Sequence, residues 1–564
     1  MAIVVVLAGT WLGYQKLADN SCSGQIKLSV AAATEIAPAV ERAAQQWTTG
    51  GAQVNGTCVA VTVTGVASGT MASAIASKHG VTLTGLGAAS KTALPDVWIA
   101  DSNTWLMRLR SEASGFSPTD GKSVATSPVV VAMPKKIAEG IGWPTRKLGW
   151  NDLLKKMTTG NSLRTGIVEP TRDAAGLAGL LALGSAAGGG LEGKARQVGA
   201  LRALAAGSSS LREDLLQKFP RSDDPADLAG SIGAAPLSEE DVVAYNADNP
   251  TVPLAALYLD PQPPSLDYPY LVMPEADLTK SAAATGLREA LQQTSFKNEL
   301  AKVGLRAPDG TWGAGFAAPT GAPEATPGAT APTTGTQGAG AAGLDAGSIN
   351  RALGSWAAIT LPGRVLAVFD VSGSMKTKVP TAGNIDRAAV TRAAALQGLT
   401  LFDDKWEVGT WVFSTNMDGD KPYKEIVPIT PLTSGRAKLQ ASVSSITPKD
   451  GGNTGLYDTA LAAYKSVQQG WVPGRVNTVL LFTDGKNENA DGISRATLIS
   501  ELKKLNDPTK PVRMVIVGIG TGVDAGELEA ITAATSAGGV FIAPDPAKIS
   551  DIFLEAISSR SGAR

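Results

Sequence analysis

An α/β fold in two bodies is predicted for this chain, on three observations. Strand signals alternate with helix signals in both halves, the strands of the C-terminal half are continuous apolar runs, and the composition breaks between the halves over 317–343. Alternation of this kind makes parallel sheets, because each parallel crossover passes through a helix. Strands buried on both faces lose the apolar–polar alternation of a half-exposed strand. At 564 residues the chain is also too long for one ordinary core.

Residues 2–14 are apolar apart from Thr10. That run is shorter than the ~20 residues that cross a bilayer. It has the length of an export-signal core, although no Lys or Arg precedes it and no small-residue cleavage site follows. The expectation is a signal-anchor remnant over 1–21, a buried strand or helix being the other reading. Cys22 and Cys58 are the chain's two thiols. Beyond an export segment such a pair points to one disulfide, and two unrelated buried thiols are the alternative.

The first body is expected over 22–316. Residues 25–32 read as a strand, and 35–48 as a helix with Ile36, Val40, Ala43, Ala44 and Trp47 on one stripe. Further strands are expected at 59–66, 96–100, 128–133, 166–168, 242–245 and 255–259, with helices at 152–156, 174–186 and 281–292, together making two sheets. Of residues 317–343, 25 of 27 are Ala, Pro, Thr or Gly, and Glu324 alone is charged. Such a segment cannot bury enough apolar surface to offset its ordering entropy, so 317–348 is expected to be a linker.

The second body, 349–564, has strand signals at 364–370 (RVLAVFD), 407–413, 476–484 (VNTVLLFTD) and 512–518. Helices are expected at 385–401, 456–464, 495–505, 525–535 and 546–557. This pattern predicts a doubly wound, Rossmann-like sheet with ligands beyond the strand C-termini.

Composition excludes several functions. Fifty Lys and Arg against 51 Asp and Glu leave a net charge of −1, without the basic excess of a nucleic-acid binder. One His and two Cys exclude His-rich and Cys-rich metal sites. No G-x-S-x-G elbow is present, and His79 falls at a helix end, where the dipole favours a surface histidine. The run 518–522 (GIGTG) fails as a dinucleotide loop, because Val523 stands where the third glycine belongs. The expectation is a protein without enzymatic activity.

Three loops of the second body carry hard oxygen donors. They are Asp370-Val371-Ser372-Gly373-Ser374, Gly452-Asn453-Thr454 and Thr483-Asp484-Gly485. Oxygen ligands without thiol or imidazole suit Mg²⁺ or a similar divalent ion. The sequences DVSGSM, GGNT and FTDG, in this order, resemble the metal-ion-dependent adhesion site of von Willebrand factor A domains. The resemblance covers roughly 349–557. It implies a divalent ion, Mg²⁺ or else Mn²⁺ or Ca²⁺, held by Ser372, Ser374 and Thr454 with Asp370 and Asp484 bound directly or through water. It further implies a protein partner whose acidic residue completes the coordination.

The first body is similar to bacterial extracellular solute-binding proteins of the two-lobed, periplasmic-binding type. The runs carrying this resemblance are LSVAAATEIAPAVERAAQQW, LPDVWIADSNTW, SPVVVAMP, GIVEPTRDAAGLAGLLAL and SLDYPYLVMP. It implies two interlobe crossings, placed near 127–133 and 245–255, with a second lobe over 134–246. Cleft candidates are Thr34, Ser68, Thr70, Ser127, Thr171 and Asp173, at strand ends and helix starts where anions bind. Ordinary helix capping is the competing reading of the same residues. Asp101, beside Trp105, is a candidate contact for a polar ligand such as a sugar, or else a turn aspartate. The whole implies an exported binding protein, either secreted or held at the outer face of the cell membrane by its N-terminal segment. Two alternatives are capture of an oxyanion or sugar for uptake or sensing, and an assembly scaffold docking on an ATPase.

Overall fold

The computed structural model describes residues 22–83, 85–86, 92–113, 115–158, 163–188, 190–260, 262–323, 344–360, 362–507, 509–535, 537–549 and 552. The expected signal-anchor over 1–21 lies outside the described residues, as does 324–343 of the expected linker. The chain divides into two compact units, Met1–Ala352 and Leu353–Arg564. The division falls inside the helix Ala346–Thr360.

The first unit has two lobes. In one, six strands lie in the order β2-β3-β1-β4-β9-β5. These are β1 (Gln25–Ala32), β2 (Gln53–Val54), β3 (Thr57–Gly65), β4 (Val97–Ile99), β5 (Thr119–Ser123) and, late in the chain, β9 (Pro269–Val272). Strand β1 runs parallel to β3 and β4, and β9 returns antiparallel to β4. Helix Ala37–Thr49 buries Ala39, Val40, Ala43 and Ala44 against this sheet. The disulfide Cys22–Cys58, with Cα atoms 5.1 Å apart, ties the segment before β1 to β3.

The second lobe is built on β6 (Val129–Pro134), flanked by β7 (Ala235–Ser238) and β8 (Leu254–Leu257), both antiparallel to it. Three sequence expectations are corrected here. Residues 242–245 are not a strand but lie in the helix Glu239–Ala247, which opens with a capping box between Ser238 and Asp241. Residues 166–168 make no strand; isolated bridges join Thr165 to Ala234 and Val168 to Ser209. The return crossing is not at 245–255, because β8 adds to the second lobe's own sheet; the chain rejoins the first lobe at Leu266, which bridges to Ser127.

The second unit is a six-stranded sheet in the order β14-β13-β10-β15-β16-β17. Its strands are β10 (Gly363–Asp370), β13 (Glu407–Asp418), β14 (Lys421–Pro431), β15 (Val476–Thr483), β16 (Arg513–Ile519) and β17 (Ala537–Ala543), while β11 (Lys378–Val379) and β12 (Ile385–Asp386) form a separate small ribbon. All pairings in the large sheet are parallel except β13–β14. The continuous apolar runs have a direct cause: β10 sends Val365, Ala367 and Phe369 into one core and Leu366 and Val368 into the core on the opposite face. The helix expected from 385 starts instead at Arg387, since Ile385–Asp386 pair with β11 and Asp386 caps the helix by accepting from Ala389 N at 2.6 Å. From the helix expected at 546–557, the described residues retain a short 3-10 turn, Pro546–Lys548.

Candidate functional site

Parallel register places the oxygen-bearing loops on one edge of the second unit's sheet. Phe369 of β10 pairs with Phe482 of β15, so Asp370 and Thr483 end neighbouring strands side by side. Thr483 Oγ1 donates to Asp370 Oδ2 at 2.8 Å, and the Ser372 amide donates to Asp370 Oδ1 at 2.8 Å. Ser372 Oγ and Ser374 Oγ lie 2.9 Å apart, and Ser374 Oγ donates to Asp484 Oδ1 at 2.6 Å. Four of the five predicted donors, Asp370, Ser372, Ser374 and Asp484, are thus linked by hydrogen bonds, the longest step joining residues 110 apart in sequence.

Thr454 reaches the same place from the middle loop. The Gly373 amide donates to Gly452 O at 2.8 Å, which joins the first loop to the second. A Cβ on Gly485 would lie 3.4 Å from Thr454 Oγ1, so the Thr454 hydroxyl abuts the third loop. Asn487 Oδ1 accepts from Leu456 N and Tyr457 N at 2.9 and 3.2 Å, fixing the helix Leu456–Gln469 that follows. Asp370, Ser372, Thr454 and Asp484 are buried, whereas Ser374 is exposed, so the donor set opens to solvent on the Ser374 side.

Burial pushes the Asp370 carboxyl up to about 7, against its hydrogen bond from Ser372, and the nearby Asp484 charge acts in the same upward direction. Two buried carboxylates this close call for a cation. Part of that role falls to Arg387, whose Nη1 donates to Asp484 Oδ2 at 2.7 Å. Arg387 is not a sequence candidate, and Thr483, though named in the third oxygen-bearing loop, is not among the five expected ligands. Thr483 could have been found from the strand register, whereas Arg387 sits 97 residues from its partner and carries no motif. The donor set suits a hard cation: two carboxylates, three hydroxyls, no sulfur and no imidazole. Among the described residues there is no cluster of three or more Asp, Glu, His or Cys arranged to hold a metal. The hydroxyls of Ser372, Ser374 and Thr454 would have to supply the ligands that such a cluster would provide.

The seven cleft candidates are placed less uniformly. Ser68 Oγ accepts from the Asp101 amide at 3.0 Å, and Ser127 Oγ accepts from the Glu240 amide at 3.1 Å. Asp173 caps the helix Ala174–Ala186, accepting from Gly176 N at 2.7 Å, and also pairs with Arg212 at 2.9 Å. Asp101 Oδ1 accepts from Trp105 Nε1 at 2.7 Å. Thr171 donates to Glu169 Oε1 at 3.1 Å, and its carbonyl accepts from Arg108 Nη1 at 2.8 Å, a contact between the lobes. Thr34 and Thr70 are exposed. Ser68, Ser127, Asp101 and Asp173 thus accept bonds from within the chain, and Thr171 spends its hydroxyl proton on a carboxylate of its own lobe. Two acids that the sequence did not single out touch these candidates or their partners: the Glu240 amide is the donor to Ser127, and Asp241 shares Arg212 with Asp173 at 3.1 Å.

No helix among the described residues is long and apolar enough to cross a membrane. In comparison with known proteins, the bacterial extracellular solute-binding protein family matches residues 28–306, and the von Willebrand factor type A domain matches residues 365–555. Uncharacterized proteins of two Mycobacterium tuberculosis strains, CDC 1551 and H37Rv, are each 24% identical over 597 residues, covering 98% of this chain and 82% of the relative. Among solved structures, the sulfate-binding protein SubI of M. tuberculosis H37Rv aligns at 17% identity and TM-score 0.34, over 50% of this chain and 87% of that one. Proximal thread matrix protein 1 of the mussel byssus, with a zinc-occupied MIDAS motif, aligns at 18% identity and TM-score 0.28, over 35% of this chain and 47% of that one. A von Willebrand factor type A protein of Catenulispora acidiphila aligns at 19% and 0.29, over 36% and 44%. This chain spans less than half the length of the last two. On the family matches, the chain joins a domain of the bacterial extracellular solute-binding proteins, at 28–306, to a von Willebrand factor type A domain, at 365–555.

Proposed function

We propose that this chain is an exported, non-enzymatic recognition protein that binds a partner protein through a divalent metal in its A domain. Asp370, Ser372, Ser374, Thr454 and Asp484 hold the ion, which is Mg²⁺ in the first instance, with Mn²⁺ or Ca²⁺ as substitutes. The observation that carries this reading is the hydrogen-bonded set running from Asp370 through Ser372 and Ser374 to Asp484 at one sheet edge. When bound, the ion offers an electrophilic position for a carboxylate of the partner. The chain's own residues do the rest. Thr483 and the Ser372 amide orient Asp370, Arg387 holds Asp484, and the exposure of Ser374 leaves one side open to the partner.

The N-terminal domain binds a small solute or serves as a spacer, with domain limits of 22–316, 317–348 and 349–564. The family match over 28–306 favours the solute reading for that half, as does its two-lobed architecture. Residues 1–21 would anchor the chain at the outer face of the membrane. Docking on a cytoplasmic ATPase fits poorly with the Cys22–Cys58 disulfide, because such bonds persist in oxidising compartments.

The test is calorimetric titration of Mn²⁺ into the wild-type chain, Asp370→Ala and Thr454→Ala. Saturable binding in the wild type, weakened at least tenfold in both variants, is expected. Equal binding in all three proteins, or none in the wild type, would remove the proposal.

A further inference from the structure

We infer that Arg387 is a specificity-determining residue of the metal site: its guanidinium cancels the charge of Asp484, so that a divalent ion binds weakly alone and tightly only together with a carboxylate. This deepens the metal reading of the A domain and rests on it. Each oxygen of Asp484 carries its own donor. Ser374 Oγ serves Oδ1 at 2.6 Å, and Arg387 Nη1 serves Oδ2 at 2.7 Å. The Asp484 side chain is fully buried and that of Arg387 is 20% exposed, so water and salt screen this pair little.

Arg387 sits where a cation is not favoured. It opens the helix Arg387–Leu401, at the end where the helix dipole prefers an acid. Its amide donates to Thr377 O at 3.0 Å, and Thr391 Oγ1 donates to its carbonyl at 2.8 Å, so the main chain is held on both sides. The guanidinium lies against the turn 518–522. Gly520 is held there at φ +81°, and a Cβ on it would come within 3.2 Å of Arg387 Nη2 and 3.4 Å of Cζ. A Cβ on Gly522 would lie 3.1 Å from the Asp484 carbonyl oxygen. The glycine turn that lacks the spacing of a dinucleotide loop thus leaves room for both members of the pair.

Charge decides what the pair does to the ion. The oxygens of Asp370 are served by neutral donors, the Ser372 amide and the Thr483 hydroxyl, whereas Asp484 meets a cation. Two carboxylates against one guanidinium leave a divalent ion with one positive charge uncancelled. Glu488 accepts from the Thr454 amide at 3.3 Å, but it is exposed and its charge is screened. The uncancelled charge lowers the affinity for the ion itself. It also favours an anionic ligand over a neutral carbonyl on the exposed Ser374 side.

The experiment titrates Mn²⁺ into the full, oxidised chain at pH 8, read by calorimetry and water-proton relaxation. The medium is sodium chloride, sodium acetate, or sodium chloride with acetamide, all at one ionic strength. In the wild type, acetate is expected to tighten Mn²⁺ binding severalfold and acetamide to leave it unchanged. Arg387→Gln is expected to bind Mn²⁺ about tenfold more tightly in chloride and to lose most of the acetate effect. Arg387→Lys keeps the charge and is expected to stay near the wild type. Glutamine retains an N–H donor for Asp484, so that variant is expected to fold; should it melt early, Mn²⁺ is expected to raise its melting temperature more than the wild type's, and a smaller rise would overturn the inference. Equal or weaker Mn²⁺ binding in Arg387→Gln, or an acetate effect of unchanged size, would overturn the inference and leave the metal reading standing. A lysine variant that behaves as the glutamine one would assign the effect to packing and overturn it as well. Absence of Mn²⁺ binding in all three proteins would remove both readings.

Discussion

Asp370 shows at the level of single residues how much of the metal site the sequence contains. A strand that ends in an acid, followed by Ser372 and Ser374 at alternating positions, gathers three donors within five residues, so the local pattern is readable. Thr483 and Arg387 depend on which strand pairs with which and on where a helix begins, so no local pattern reveals them. Gly452 is a further case. A Cβ there would come within 2.3 Å of Ser414 Oγ and 3.3 Å of Lys449 Cβ, while its carbonyl holds the Gly373 amide. Gly452→Ala is expected to cost about 1–3 kcal/mol and to weaken Mn²⁺ binding, checked by denaturant melts and calorimetry. In the other domain, Asp101 is raised in the folded state from an ordinary 3.8 to about 7. Its neutral form is therefore favoured by folding. That contribution is fully present below about 4 and is lost as pH rises through about 7, so the first unit should lose roughly 1–4 kcal/mol between pH 4 and 8. Asp101→Asn should flatten that part of the profile in melts across pH; an unaltered slope would contradict the assignment.

At the level of elements, legibility followed burial on two faces. The runs of β10, β15 and β16 are apolar throughout because each feeds cores on both sides of the sheet, and their sequence signal is strong. The half-exposed edge strand β14, with charged and polar positions, left no such signal. Within the helix Glu239–Ala247, residues 242–245 carry a strand signal, since Val242 and Val243 form a β-branched pair. The capping box of Ser238 and Asp241 decided the outcome. Phe482 is fully buried and stacks on Phe369 with ring centres 4.9 Å apart, two residues before Asp484. Phe482→Ala should destabilise the A domain by about 3–5 kcal/mol, measured by chemical denaturation. The disulfide closes a separation of 36 residues, for which chain entropy gives about 3–4 kcal/mol. Reduction should lower the stability of the first unit by that order and leave the second unit unchanged.

For the whole molecule, the composition break over 317–343 made two bodies readable from sequence, and the structure divides into two compact units. The character of the interlobe seam was not readable. Asp173 and Asp241 share Arg212 at 2.9 and 3.1 Å, a grouping of positions far apart in sequence that only the fold creates. Two units with separate cores should melt in two transitions by calorimetry. Mn²⁺ should raise the one belonging to 365–555, and reduction of the disulfide should lower the other.

The central claim is that five oxygen-bearing side chains form one metal site. Anomalous diffraction from crystals of the chain soaked in Mn²⁺ tests it most directly. The account predicts a single strong peak within coordination distance of the Ser372, Ser374 and Thr454 hydroxyls, beside Asp370 and Asp484. A fully soaked crystal with no peak there, or with manganese bound only at other carboxylates, would contradict it.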